Sequence, residues 1–421
     1  MERYEKYKDS GIPWLGMIPE HWEMRRIKYI FRELNERSIE GKETPLSLSK
    51  DDGLIPSSEK KNRTMESASY VGTKVVHPGN IVFNRFKARL FAISKYDGVV
   101  SSDYAIYRCN ETACADFFVK LFGTETYREA FNRKASGIGD GFSRLYTDDL
   151  FSMYAVFPPL AEQKKIVDYI ESKTISIDAY VRERERELRL LDELKQTQIA
   201  EAVTHGLNPD VKMKDSGIPW IGMIPEHWEM KKLSQIAQEH FISNKKVHHQ
   251  NLLSLSYGNI VKRNIDATEG LLPASFDTYQ IVEEGNIVLR LTDLQNDHKS
   301  LRVGLVKEEG IVTSAYVCLN VTNEEMVVPD YLYNLLHTYD IKKMFYSMGG
   351  GIRQNLNWQG LKKIDVPVPP LSEQRSIVDF IDAKCDNINS LISELEAEIA
   401  YLKEYKQRLV ADAVTGQIKV F

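Results

Sequence analysis

Residues 8–24 read KDSGIPWLGMIPEHWEM, and residues 214–230 read KDSGIPWIGMIPEHWEM. Sixteen of the seventeen positions match at an offset of 206, and the one change is Leu15 to Ile221. A second pair follows at an offset of 211, FPPLAEQKKIVDYIESK from Phe157 and VPPLSEQRSIVDFIDAK from Val368. The stretches after it end alike, Ala202-Val203-Thr204 matching Ala413-Val414-Thr415. Two long half-chains, not many short repeats, rule out a solenoid. Between the repeated frames the halves diverge, and only echoes such as GNIV at Gly79 and at Gly285 remain. Gene duplication with uniform drift does not leave one segment nearly identical and another unrecognisable. The contrast implies frames with one shared job and inserts with two different jobs.

Each Pro-Pro pair, Pro158-Pro159 and Pro369-Pro370, ends the preceding structure and opens a long helical pattern. In the second helix, Val378, Cys385, Ile392, Ile399, Lys406 and Ala413 fall at a positions, and Ile381, Ile388, Leu395, Leu402 and Leu409 at d. Only Lys406 breaks the apolar seam, so a coiled coil is expected. The first helix runs in phase with a weaker seam, and its RERERELR at 182–189 reads as a solvated face. The ends of a domain often lie close together. The helices should then run antiparallel, in a pseudo-two-fold arrangement with an insert at each end.

The inserts read as mixed α/β. Apolar, β-branched runs at 74–76, 81–86, 90–94 and 99–107 precede a helical stretch at 115–135. The second insert repeats this order with runs at 252–256, 287–291, 303–306 and 311–321, then a helix at 330–348. The expected fold class is therefore α+β, with two mixed α/β domains separated by two long antiparallel helices. The expected segments are 1–157, the central helix 158–206, 207–367, and the C-terminal helix 368–421.

Each insert ends in glycines followed by polar and basic residues, GIGDGFSR at 137–144 and GGGIRQN at 349–355. Glycines let backbone approach a ligand closely. Arg pairs with guanine O6/N7, and Asn or Gln with adenine N6/N7. Ser143, Arg144, Arg353, Gln354 and Asn355 are thus candidate DNA contacts, against the plainer reading of a surface loop. Arg85, Lys87 and Arg89, on or just after a strand, and Arg290 in the second insert are candidate DNA contacts of the same class. Strand-edge charge that blocks aggregation is the rival reading. Lys60-Lys61-Asn62-Arg63 and Lys262-Arg263-Asn264 are weaker candidates.

Charge bounds this reading. The chain has 421 residues and net charge −5, but residues 21–157 carry +3, 227–365 carry −1 and the remainder −7. The inserts can present local basic surfaces without being polycations. Four scattered cysteines fit a reducing cytoplasm, and no apolar stretch approaches the ~18 residues of a membrane span. The N-terminus has no signal-peptide pattern. No cofactor is expected. Phe157-Pro158-Pro159-Leu160 is not an adenine-methyltransferase motif, no GxxxxGK[ST] occurs, and the histidines lack metal-ligand spacing. Asp330, Asp340 and Lys342 are a remote nuclease candidate, on a helix that would point Asp340 and Lys342 apart.

The IPEHWE segments, the PPL[AS]EQ helix openings, the AVT endings and the duplicated layout resemble Type I restriction–modification specificity subunits. The resemblance covers nearly the whole chain, specifically in the frames and weakly in the inserts. It implies a non-catalytic protein whose inserts are target-recognition domains, each reading half of an asymmetric, bipartite site in double-stranded DNA. It implies helices that set the spacing, frames that dock two adenine-methylating modification subunits, and restriction/translocase subunits that join them. The rival reading is a coiled-coil adaptor whose inserts bind proteins.

Overall fold

In the computed structural model, the structure describes residues 2–49, 52–60, 69–86, 90–137, 143–265, 275–295, 300–348 and 355–421. The chain forms two compact units, Met1–Glu185 with Ala397–Phe421, and Arg186–Glu396. Each long helix, Leu160–His205 and Leu371–Val414, gives one part to each unit.

Both units are built round a four-stranded antiparallel sheet. In the first unit its order is Phe31–Leu34, Tyr104–Cys109, Ile81–Asn84, Phe91–Ile93. In the second it is Ala237–Glu239, Val317–Val321, Ile287–Leu289, Val303–Leu305. The central strands Ile81–Asn84 and Ile287–Leu289 are apolar over three successive residues because both faces are covered. Ile81 and Phe83 join the core formed with helices Ala115–Phe122 and Glu125–Lys134, while Val82 joins Leu46, Leu48 and Val76 on the other face. Ile287 and Leu289 pack towards helix Pro329–Ile341, and Val288 towards Leu253, Val282 and Val312.

Several expected elements are subdivided. The run at 99–107 becomes Gly98–Val100 and Tyr104–Cys109, and that at 311–321 becomes Gly310–Val312 and Val317–Val321. The helical stretch at 115–135 breaks at Gly123-Thr124, and Pro329–Ile341 gives way to a 3-10 turn at Met344–Ser347.

The frames lock the helices to the sheets. Strand Glu23–Arg26 pairs with Tyr154–Phe157, and Glu229–Lys232 with Asp365–Val368. Trp22 and Trp228 are wholly buried. The indole of Trp22 donates to Glu162 Oε1 at 3.0 Å, and His21 Nε2 lies 2.8 Å from Glu162 Oε2. In the second unit Trp228 donates to Glu373 at 3.1 Å, and His227 lies 2.7 Å from it. The neighbouring Gln163 and Gln374, also fully buried, accept from the backbone N–H of Cys114 and Val328. They donate to the carbonyls of Pro158 and Pro369 at 2.8 Å. EHW and EQ thus form one interlocking set, with every buried polar group partnered as an apolar core demands.

The same tryptophans receive the C-terminal end of the other long helix. Gly206 and Gly416 have φ of +76° and +75°, as helix-ending glycines do. A Cβ at Gly416 would come within 2.5 Å of Pro19 and 3.1 Å of Trp22; one at Gly206 would come within 3.2 Å of Trp228. The tail continues onto the N-terminal frame, Gln417 donating to the carbonyl of Met17 and Lys419 N–H to that of Glu2. Within the first unit, Asp178 pairs with Lys406 at 2.6 Å and Glu185 with Lys403 at 2.9 Å, so the helices run antiparallel. Within the second, Lys195 donates to Asn389 at 2.8 Å. The Asp178 contact accounts for Lys406, the polar exception in the heptad seam.

Candidate nucleic-acid interface

In both units the loop after the central strand is stitched to the segment that follows the glycine-rich stretch. Leu145 N–H donates to the carbonyl of Arg85 at 3.0 Å, and Leu356 N–H to that of Leu291 at 2.9 Å. The two candidate regions in each insert, distant in sequence, therefore meet at one end of the four-stranded sheet.

In the first unit, Arg144 lies on a short hairpin in register with Ser136. Its guanidinium sits 5.3 Å from the ring centres of Phe86 and of Tyr146, and 3.9 Å from Asp103. Two aromatic faces and a distant carboxylate fix a cation while leaving donor capacity for a ligand. Ser143 precedes it on the same strand, opposite Gly137. Arg85 behaves differently. Its guanidinium donates to Glu33 at 2.7 Å and to Thr147 at 3.3 Å, and its side chain is 13% exposed. Buried Lys74 approaches the same Glu33 at 3.6 Å; burial, and then the Arg85 charge, push its pKa down. Arg85 is an anchor beneath the loop, with its charge spent on Glu33 rather than projected outwards.

The second unit shapes the corresponding loop with Arg302, a side chain that the sequence reading did not single out. Arg302 is fully buried. Its guanidinium donates to the carbonyls of Arg290 at 3.0 Å and Thr292 at 2.8 Å, and to the Tyr346 hydroxyl at 3.0 Å. Its backbone N–H donates to Asp340 at 2.6 Å. Asp293, held at φ +54°, donates its N–H to Asn355 Oδ1 at 2.8 Å. The loop at 290–293 is thus held from below by Arg302 and from the side by Asn355. An arginine flanked by apolar Leu301 and Val303 is the one trace of this in the sequence. Asp340 is fully buried and accepts from the backbone N–H of Arg302, so it is not the exposed carboxylate that the nuclease reading needs.

Arg290 contributes its carbonyl to this cage. Lys87, Arg89, Arg353, Gln354 and residues 61–63 lie outside the described residues. Lys60 donates to Ser47, and Lys262 is neutralised by Glu308 at 2.7 Å. Among the described residues no group of His, Cys, Asp and Glu could hold a metal ion, and no helix is long and apolar enough to cross a membrane.

Residues 225–401 match the family model for the Type I restriction modification DNA specificity domain. The chain is similar to the Type I restriction enzyme MjaVIII specificity subunit of Methanocaldococcus jannaschii, 23% identical over 310 residues, 71% of this chain and 70% of that one. It is 24% identical over 300 residues to the Type I restriction enzyme EcoBI specificity subunit of Escherichia coli, 66% of this chain and 60% of that one. The fold resembles the HsdS subunit from Thermoanaerobacter tengcongensis, with TM-score 0.51, 17% identity, and 95% and 98% of the two chains covered. A chain from a structure describing complex assembly and conformational transition of the type I R-M system matches with TM-score 0.68, 16% identity, and 95% and 99% covered. Residues 225–401 thus carry the match to that family's domain, and over most of its length the chain is similar to DNA specificity subunits of Type I restriction–modification systems.

Proposed function

We propose that this chain reads a bipartite DNA site, each unit contributing one target-recognition domain, within 1–157 and 207–367. The observation that carries the reading is the shared Trp–Glu contact in both units beneath unlike loops: Trp22–Glu162 and Trp228–Glu373 match, while Arg144 and Asn355 occupy corresponding places with different chemistry. An arginine held between aromatic rings suits a guanine edge or a phosphate; an amide on a caged loop suits adenine. Ser143, Arg353 and Gln354 belong to the same proposal.

The helices would set the spacing between half-sites. The 46 residues of Leu160–His205 amount to about 69 Å at 1.5 Å per residue. The repeated frames would dock two methyltransferase subunits, and restriction subunits would join that core. The chain itself would carry no catalytic step; it supplies binding and position only. Mapping the methylated bases in DNA exposed to the assembled complex tests this. Two specified blocks separated by a fixed, unspecified spacer are expected. One continuous block, or methylation without sequence preference, would contradict it.

A further inference from the structure

The two frames continue into the inserts through nearly the same fold, yet their surfaces part sharply just after Met24 and Met230. In the first unit the outward residues are Arg25, Arg26, Lys28, Tyr29 and Arg32. The corresponding residues of the second unit are Lys231, Lys232, Ser234, Gln235 and Gln238. Arg108 stands directly opposite Arg32 across the antiparallel ladder, and Asn320 stands opposite Gln238. Two arginines facing each other across a ladder repel, and the pair destabilises the sheet that carries it.

The second unit neutralises what charge it keeps. Lys231 pairs with Glu229 and Lys232 with Asp365, at 2.7 and 2.6 Å. In the first unit Arg25 pairs with Glu23 at 2.8 Å, but Tyr154 stands where Asp365 does, so Arg26 meets a neutral phenol. Arg26, Lys28, Arg32 and Arg108 are exposed and have no carboxylate partner among the described residues. They surround Tyr29, 62% exposed, which borders two shallow hollows of about 340 and 570 Å³. One carboxylate, Glu111, lies on the rim.

We propose that this patch grips the sugar–phosphate backbone of duplex DNA beside the half-site read by the first unit, a contact the second unit lacks. The proposal rests on the sequence-specific reading above. Uncompensated like charge on a rigid sheet is what a polyanion repays, and ordered phosphates would turn the Arg32–Arg108 repulsion into shared attraction. From Tyr104, at the loop end of the sheet, to Arg108 is four residues, or about 13 Å at ~3.3 Å per residue. That is comparable to the ~12 Å width of a major groove, so a loop in the groove and a patch on its flanking strand fit one duplex. Two copies of one protein partner would meet matching surfaces on both units. A patch present on one unit fits that poorly, which disfavours an acidic protein face as the occupant.

The test compares the assembled complex carrying unchanged chain with one carrying Arg32→Gln and Arg108→Asn, the residues of the second unit. Affinity is measured from 50 to 200 mM salt for a duplex containing the methylated site and for one without it. Losing two phosphate contacts flattens the salt slope by about two, so the variant should lose about tenfold less affinity over that range, equally on both duplexes. The free variant should melt no lower than the parent, because the repulsion is gone. An unchanged slope would overturn the proposal, as would weaker assembly with the methyltransferase subunits at unchanged slope, which would assign the patch to a protein. If the unchanged complex shows no preference between the duplexes, the specificity reading fails instead, and the slope difference still decides the patch.

Discussion

The first unit fixes its candidate reading loop from the sheet, and the second fixes its own from within the loop. In the first, Arg85 reaches down to Glu33 on the edge strand, and Arg144 is held, among the described residues, by two rings and a distant carboxylate. In the second, the buried Arg302 gathers the carbonyls of residues 290 and 292, and Asn355 is itself bonded to the loop backbone. Beneath both lies the same Trp–Glu–Gln lock. On the proposed reading, a shared frame of this kind would let the loops be exchanged, because neither unit uses its loop to hold the helices.

The largest expected effect tests the shared part. Trp22→Ala and Trp228→Ala each remove a wholly buried indole and take a donor from a carboxylate, Glu162 or Glu373, and each should cost about 3–5 kcal/mol in denaturant unfolding. The two costs should be alike; a clearly smaller cost in one unit would break the equivalence of the frames.

The next pair tests the contrast. Arg302→Met leaves several carbonyls without a donor in a buried site and should cost about 3 kcal/mol. Arg85→Met loses one partly screened ion pair and should cost about 1 kcal/mol. Equal costs would show that the two loops are anchored with similar strength after all.

Acid should also separate the units. His337 is buried on helix Pro329–Ile341, and burial pushes its pKa down to about 4; the first unit's helix stops at Phe122 and carries no histidine there. As pH falls, the unfolded chain takes up this proton first. The contribution is full above pH ~6.5 and declines towards pH 4, by about 3 kcal/mol. His337→Gln should flatten that part of the stability profile, whereas an unchanged profile would assign the acid sensitivity elsewhere.

The smallest effect is the most specific. Arg144→Ala should weaken binding by about 1–3 kcal/mol, relax one position of one half-site and leave the other half-site as it was. An equal loss on all DNA would make Arg144 a phosphate contact.

The duplication, the helices and the central strands were legible because each is written locally: a near-identical segment, a heptad seam, a doubly buried apolar run. The lock was legible only as repetition. That Glu162 meets Trp22 is a contact across 140 residues, which no local period encodes. Edge strands such as Phe31–Leu34 and Ala237–Glu239 were missed because an edge carries polar residues and lacks the alternating signature. Among the candidate site residues, Arg144 was singled out because glycines precede it. Arg85 was read as projecting, and its partner Glu33 comes from a strand far back in sequence. Arg302 was missed because a buried arginine looks like any other basic residue until its acceptors are seen.

The central claim is that two separable readers stand on one repeated frame. Its most direct test replaces residues 21–157 with the first insert of another family member and maps the methylated sites of the assembled complex. One half-site should change to that of the donor, while the other half-site and the spacing stay the same. A change in both half-sites, or in neither, would contradict the account.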